Sequence, residues 1–144
     1  MNKNERINQI AGYFEGKDDV SAVYLFGSLV KGRATHNSDV DIGVLFADGM
    51  PLFQRFNRKL EIANDLEDTL LAKVDIVDLD NADLYFVRQV MLNKEMILDR
   101  DTHRRVAFEV AKRREFFDRK RFYELYHSQA LKRLEEKGRE HQNG

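Results

Sequence analysis

The sequence predicts an α/β protein: a small mixed β-sheet flanked by helices, with a helical extension at its C-terminus. Two observations carry that reading. Short runs rich in β-branched and aromatic residues, "SAVYLFG", "DVDIGVLFA" and "VDIVDL", have the length and composition of strands. They alternate with segments whose apolar residues recur every three or four positions, so the order reads helix, strand, strand, helix, strand, helix.

The first helix is predicted over "NERINQIAGYFEGK", where Ile7, Ile10, Ala11 and Phe14 share a face and Gly16 ends the run. The first strand stops at Gly27. "LVKGRATHNS" is a turn-rich connection that can open with a turn of helix after Ser28, and the second strand follows it. Pro51 suits a first helical position, and Leu52, Phe56, Leu60, Ala63, Leu66 and Leu70 trace one stripe of the next helix. After the third strand, "ADLYFVRQVMLNKE" reads as a helix with Leu84, Val87, Val90 and Met91 inward, and "MILD" as a short fourth strand. Residues from Asp101 to about Lys137 are helical by pattern, with a break expected near Asp118. One stripe there is Val106, Val110 and Phe117; another is Phe122, Tyr126, Ala130 and Leu134. The division expected is residues 1–100 as the main domain and 101–144 as an extension packed on it and touching a partner.

Composition narrows the function classes. At 144 residues and 42% hydrophobic, the chain can bury a core without staples. The absence of cysteine excludes disulfides and thiolate metal sites. With no signal-like N-terminus and no window near the roughly 18 apolar residues of a membrane span, a cytoplasmic protein is expected. Residues 1–100 carry 12 Lys and Arg against 17 Asp and Glu, and residues 101–144 carry 12 against 8. That basic tail has no nucleic-acid reader motif, and its aromatics sit at core-like spacing, so direct nucleic-acid binding is not favoured. His36 and His103 belong to no cluster with ligand spacing, and the tyrosines read as packing residues.

The chemistry concentrates in "VYLFGSLVKGRATHNSDVDIGVLF". Residues two apart in a strand point the same way, so Asp39 and Asp41 share a face while Val40, Ile42 and Val44 line the other. Two neighbouring acids repel unless a cation lies between them. A hard divalent ion such as Mg²⁺ takes carboxylate oxygens together with substrate phosphates. Phosphoryl-type transfer with two ions about 3.5–4 Å apart needs carboxylates able to bridge them. "KVDIVDLD" offers a third acid on another strand. Asp75 and Asp78 point to opposite faces, so only one can join the site, and the pattern does not choose. Gly27 lets backbone approach a ligand closely, and a helix starting at Ser28 would aim its first N–H groups and hydroxyl at an anion. Lys31 and Arg33 are loop cations within reach of phosphates there.

This pattern, "GSLVKGRATHNSDVDIGV" above all, resembles the signature of the nucleotidyltransferase superfamily related to DNA polymerase β, in its short minimal nucleotidyltransferase (MNT) form. The likeness covers about residues 1–100. It implies a mixed sheet with helices on one side, Asp39 and Asp41 as metal ligands, and Gly27 and Ser28 as the triphosphate-binding pair. It also implies Asp75 as the third metal-site acid, which settles the choice against Asp78. A wider resemblance, including "DIVDLDNADLYFVRQVMLNKEMIL", is to MNT antitoxins encoded beside HEPN-domain RNase toxins. Members of that class transfer AMP from ATP to a tyrosine of the toxin. The resemblance therefore implies a Mg²⁺-dependent protein adenylyltransferase with two ions, ATP as substrate and a HEPN toxin as partner. The alternatives are an antitoxin that neutralises by binding alone, through the aromatic helices from Phe108 to Leu134, and a small-molecule nucleotidyltransferase. The third would need more than the residues past Arg100 to hold an acceptor.

Overall fold

The computed structural model describes residues 2–27 and 39–143. Helix α1 (Lys3–Phe14) starts at a capping box: Asn2 accepts from the Glu5 N–H at 2.9 Å, and the Glu5 carboxylate accepts from the Asn2 N–H. Strand β1 (Val20–Phe26) and strand β2 (Val40–Phe46) pair antiparallel. Helix α2 (Leu52–Leu70) then crosses back over the sheet, so strand β3 (Val74–Asp78) lies parallel to β2. A short 3₁₀ turn (Leu79–Asn81) leads to helix α3 (Leu84–Asn93), whose first N–H groups are capped by the Asp83 carboxylate. Strand β4 (Glu95–Asp99) returns antiparallel to β1, giving a mixed sheet of order β3-β2-β1-β4, and helix α4 (Thr102–Asn143) completes the chain.

Period-two alternation in the strands builds two cores. Val23, Leu25, Val40, Ile42, Val44 and Ile76 face α1 and α2, meeting Ile10, Phe14, Ile62 and Leu66. Ala22, Tyr24 and Leu45 face the other way, onto Leu79, Val87, Val90 and Phe108. Each fully buried aliphatic or aromatic side chain contributes about 1.5–3 kcal/mol. Helices thus cover both faces of the sheet, where the resemblance implied one: α3 and the start of α4 close the second.

Three further expectations are corrected. Pro51 is the N-cap of α2 and not its first residue. The buried face of α2 consists of Arg55, Ile62, Leu66 and Leu70, with Ala63 partly covered, whereas Leu52, Phe56 and Leu60 are exposed. At about 100° per residue, Phe56 and Leu60 are rotated off that buried stripe towards solvent, even though Arg55, over the Phe46 ring, packs on the sheet in the first turn. Arg55 is buried there because Asp78 and Asp80 pair with its guanidinium. The third correction concerns α4, which is one unbroken helix of 42 residues through Asp118. Its root is fixed by Phe108, by the Arg104 guanidinium donating to the Phe46 carbonyl at 3.0 Å, and by the Tyr24 hydroxyl donating to Glu109 at 2.9 Å. Among the described residues, no helix is long and apolar enough to cross a membrane.

Candidate active site

The site lies where β1 ends and β2 begins. Chain direction creates it: β1 finishes at Phe26, and β2 and the parallel β3 both start at the same end of the sheet. Asp41 pairs across β2 and β3 with Asp75, and residues so paired share a face about 4.8 Å apart. Asp39 precedes β2 and is exposed, Asp41 is half-buried, and Asp75 is exposed. The Asp41 carboxyl titrates above the usual carboxylate range. Partial burial is the largest cause, and the nearby Asp75 and then Asp39 add to it. Asp75 and Asp39 therefore lie close enough to Asp41 to act on it electrostatically.

Gly27 turns the chain at φ +78°, a left-handed conformation that glycine adopts freely. A Cβ at this position would lie 2.2 Å from the Asp41 Oδ2 and 3.2 Å from its Cγ. The turn and the carboxylate are packed as one unit. Asp78 is directed to the opposite face, where it accepts from the Arg55 Nε at 3.2 Å and from the Asn81 amide at 2.9 Å. Ser28, Lys31, Arg33 and His36 lie outside the described residues, and His103 is exposed on α4.

Sequence reasoning passed over Phe26. It is the antiparallel partner of Asp41, and Phe86 of α3 meets its ring edge-on at 5.7 Å. This aromatic pair flanks the carboxylates on the side away from Asp75. Its signal was available: the residue just before the Gly27 turn shares the strand face of Tyr24.

Among the described residues, no three acidic, His or Cys side chains gather tightly enough to enclose a metal ion by themselves. A hard divalent ion that keeps waters and substrate phosphates needs fewer protein oxygens, and Asp39, Asp41 and Asp75 supply only oxygens. Burial first, and then the charges of Asp75 and Asp39, disfavour ionised Asp41, which a bound cation would offset. The donor set fits such an ion.

Comparison with known proteins gives the family and the fold. Residues 8–103 match the family described as polymerase beta, nucleotidyltransferase. A protein adenylyltransferase, MntA of Shewanella oneidensis, is 41% identical over 69 residues. That match spans 48% of this chain and 47% of the relative, so the chain covers about half the length of the curated relative it matches. A solved toxin–antitoxin structure with AMP-PNP superposes with a TM-score of 0.63 at 27% identity, covering 82% of this chain and 89% of that one. A solved MntA–HepT toxin–antitoxin gives 0.61 at 25% identity, with 80% and 87% covered. The matched stretch takes in the sheet, the turn at Gly27 and Asp39, Asp41 and Asp75, and on that ground the chain belongs to the polymerase beta nucleotidyltransferase family.

Proposed function

We propose that this chain is an antitoxin-type protein adenylyltransferase that moves AMP from ATP to a tyrosine hydroxyl of a cognate HEPN-domain toxin and so neutralises it. The observation that carries the reading is Asp41, packed against the Gly27 turn and raised in pKa by burial and by the nearby Asp75 and Asp39. The MntA relative and the toxin–antitoxin neighbours support the choice of acceptor.

In this reading Asp39, Asp41 and Asp75 would together hold two Mg²⁺ ions. Bound Mg²⁺ would neutralise triphosphate charge and favour departure of pyrophosphate. Gly27 and Ser28 seat the β- and γ-phosphates, with Lys31 and Arg33 as further phosphate contacts. Asp75 accepts the tyrosine proton as the phenolic oxygen bonds to the α-phosphorus. The bond from that phosphorus to the bridging oxygen breaks, and pyrophosphate leaves with the electron pair. Little covalent work falls to the protein, so positioning and electrostatics supply most of the rate. Residues 1–100 would form the catalytic domain and residues 101–144 the partner-contacting extension of a cytoplasmic protein.

A second reading, neutralisation by binding alone, draws on the exposed aromatic surface of α4, where Tyr126 is 62% and Phe122 72% accessible. Intact mass spectrometry of the HEPN protein after incubation with this chain, ATP and Mg²⁺ separates the two. Transfer adds the mass of AMP, and Asp41→Asn abolishes the gain. A stable complex with no mass gain would leave binding as the function.

A further inference from the structure

Between α3 and α4, on the sheet face that Tyr24 occupies, lies a cavity of about 240 Å³ that opens to solvent. Its lining is apolar below, at buried Val87 with Met91 and Val110, and Val106 extends that apolar wall to the exposed edge. Its rim is cationic, carrying Arg88, Lys94, Lys112 and Arg113 against a single carboxylate, Glu109. Glu109 is already engaged, because Tyr24, Lys94 and Arg105 all donate to it. Lys112 has only a loose pairing with Glu115 at 3.7 Å. Among the described residues, neither Arg88 nor Arg113 has a carboxylate within 4.0 Å. Arg88 lies over the Phe116 and Phe117 rings, 5.0 and 5.2 Å from their centroids, which fixes its guanidinium near the mouth.

The cationic rim is complementary in charge to an anion, and the apolar floor to an apolar body attached to it. At the ~30 Å³ share of one water, the volume accommodates roughly eight heavy atoms. That is smaller than a nucleotide site. We infer that this cleft binds a small amphipathic anion, a carboxylate or phosphate monoester on an apolar body of about eight carbons, with the body on Val106 and Val110 and the head on Arg88 and Arg113. The site is separate from the carboxylates near Gly27 and does not depend on the proposed transfer reaction. The same chemistry has two sources, a free metabolite or a short acidic and apolar segment of another protein.

The test is titration of the full chain, by calorimetry and by methyl NMR of Met91, Val106 and Val110, with octanoate, octanol and octylammonium. Octanoate should bind saturably and shift those methyls. Octanol, and octanoate with the Arg88→Gln/Arg113→Gln variant, should bind about tenfold or more weakly. Octylammonium should not bind. Val110→Phe, which fills the floor while keeping the cations, should also abolish the shifts, and circular dichroism shows whether each variant folds. A capped Glu-Leu-Leu-Asp peptide binding more tightly than octanoate assigns the source to a protein segment; weaker binding assigns it to a free metabolite. Equal affinity for octanol and octanoate, or no saturable shift with either octanoate or the peptide, overturns the inference.

Discussion

The Asp41 carboxylate occupies the space that a Cβ on Gly27 would need, with its Oδ2 2.2 Å from that position. Two separate demands therefore fall on one residue, a left-handed φ and an absent side chain. Gly27→Ala should cost about 1–2 kcal/mol in backbone strain alone and also displace Asp41. We expect a folded protein with a lower melting temperature and AMP transfer reduced by more than about 100-fold, read from denaturation curves and intact mass together. Wild-type transfer in this variant would show that the Gly27–Asp41 contact has no part in the chemistry.

Asp41 also sets a pH dependence. Its folded-state pKa lies above the ordinary aspartate value, so its contribution to stability is complete at acid pH and is lost as pH rises through the folded value. Asp41→Asn removes that loss. The variant should melt at or above the wild-type temperature at pH 7, with the difference shrinking towards pH 4, while transfer falls by more than about 100-fold. A variant that melts lower at pH 7 would contradict the electrostatic assignment.

Asp75 and Asp78 share a strand and divide its two faces. Asp75→Asn should leave the melting temperature near wild type and abolish transfer. Asp78→Asn should do the reverse, costing about 1.5–3 kcal/mol through its charged hydrogen bond to Arg55 and sparing transfer. Urea denaturation with a transfer assay on both variants decides the assignment.

These acids were legible because strand parity is a strict rule and because no packing argument explains Asp39 and Asp41. Parity alone could not choose between Asp75 and Asp78, since that depends on which face α2 covers. The α2 stripe misled for a related reason. Leu52, Phe56 and Leu60 keep helical spacing with Leu66 and Leu70, but an apolar stripe does not reveal that an arginine, Arg55, takes the inward position and turns Phe56 and Leu60 towards solvent. Buried Arg55 was equally hidden, because its partners Asp78 and Asp80 lie some twenty-five residues away. The break expected at Asp118 came from a shift of stripe between Phe117 and Phe122, and with neither Pro nor Gly there the backbone had no cause to break.

Substitutions on α2 test the corrected stripe. Leu66→Ala, at 0% exposure, should cost about 2–5 kcal/mol. Phe53→Ser, at 78% exposure, should stay within about 0.5 kcal/mol. Chemical denaturation of the two single variants is sufficient, and a large loss from Phe53→Ser would restore the first turns of α2 to the core.

Shortening the chain separates the root of α4 from its outer half. Ending it after Arg100 removes Phe108, Arg104 and Glu109 together and should prevent cooperative folding. Ending it after Asp118 should leave the melting temperature within a few degrees, because residues 119–140 are exposed apart from half-buried Ala130. Calorimetry of the two shortened chains distinguishes them.

That unbroken helix has a mechanical meaning. Forty-two residues at about 1.5 Å each give a rod near 63 Å long, clamped over its first turns and unsupported beyond them. A clamped rod magnifies rotation at its base: a tilt of about 5° displaces the tip, some 35 Å past the clamp, by about 3 Å. The Tyr24–Glu109 and Arg104–Phe46 contacts that form the clamp rest on the same two strands that carry Phe26 and Asp41. A rotation of that clamp would therefore be read out at the far end, where a spectroscopic label on the outer half of the helix would register it.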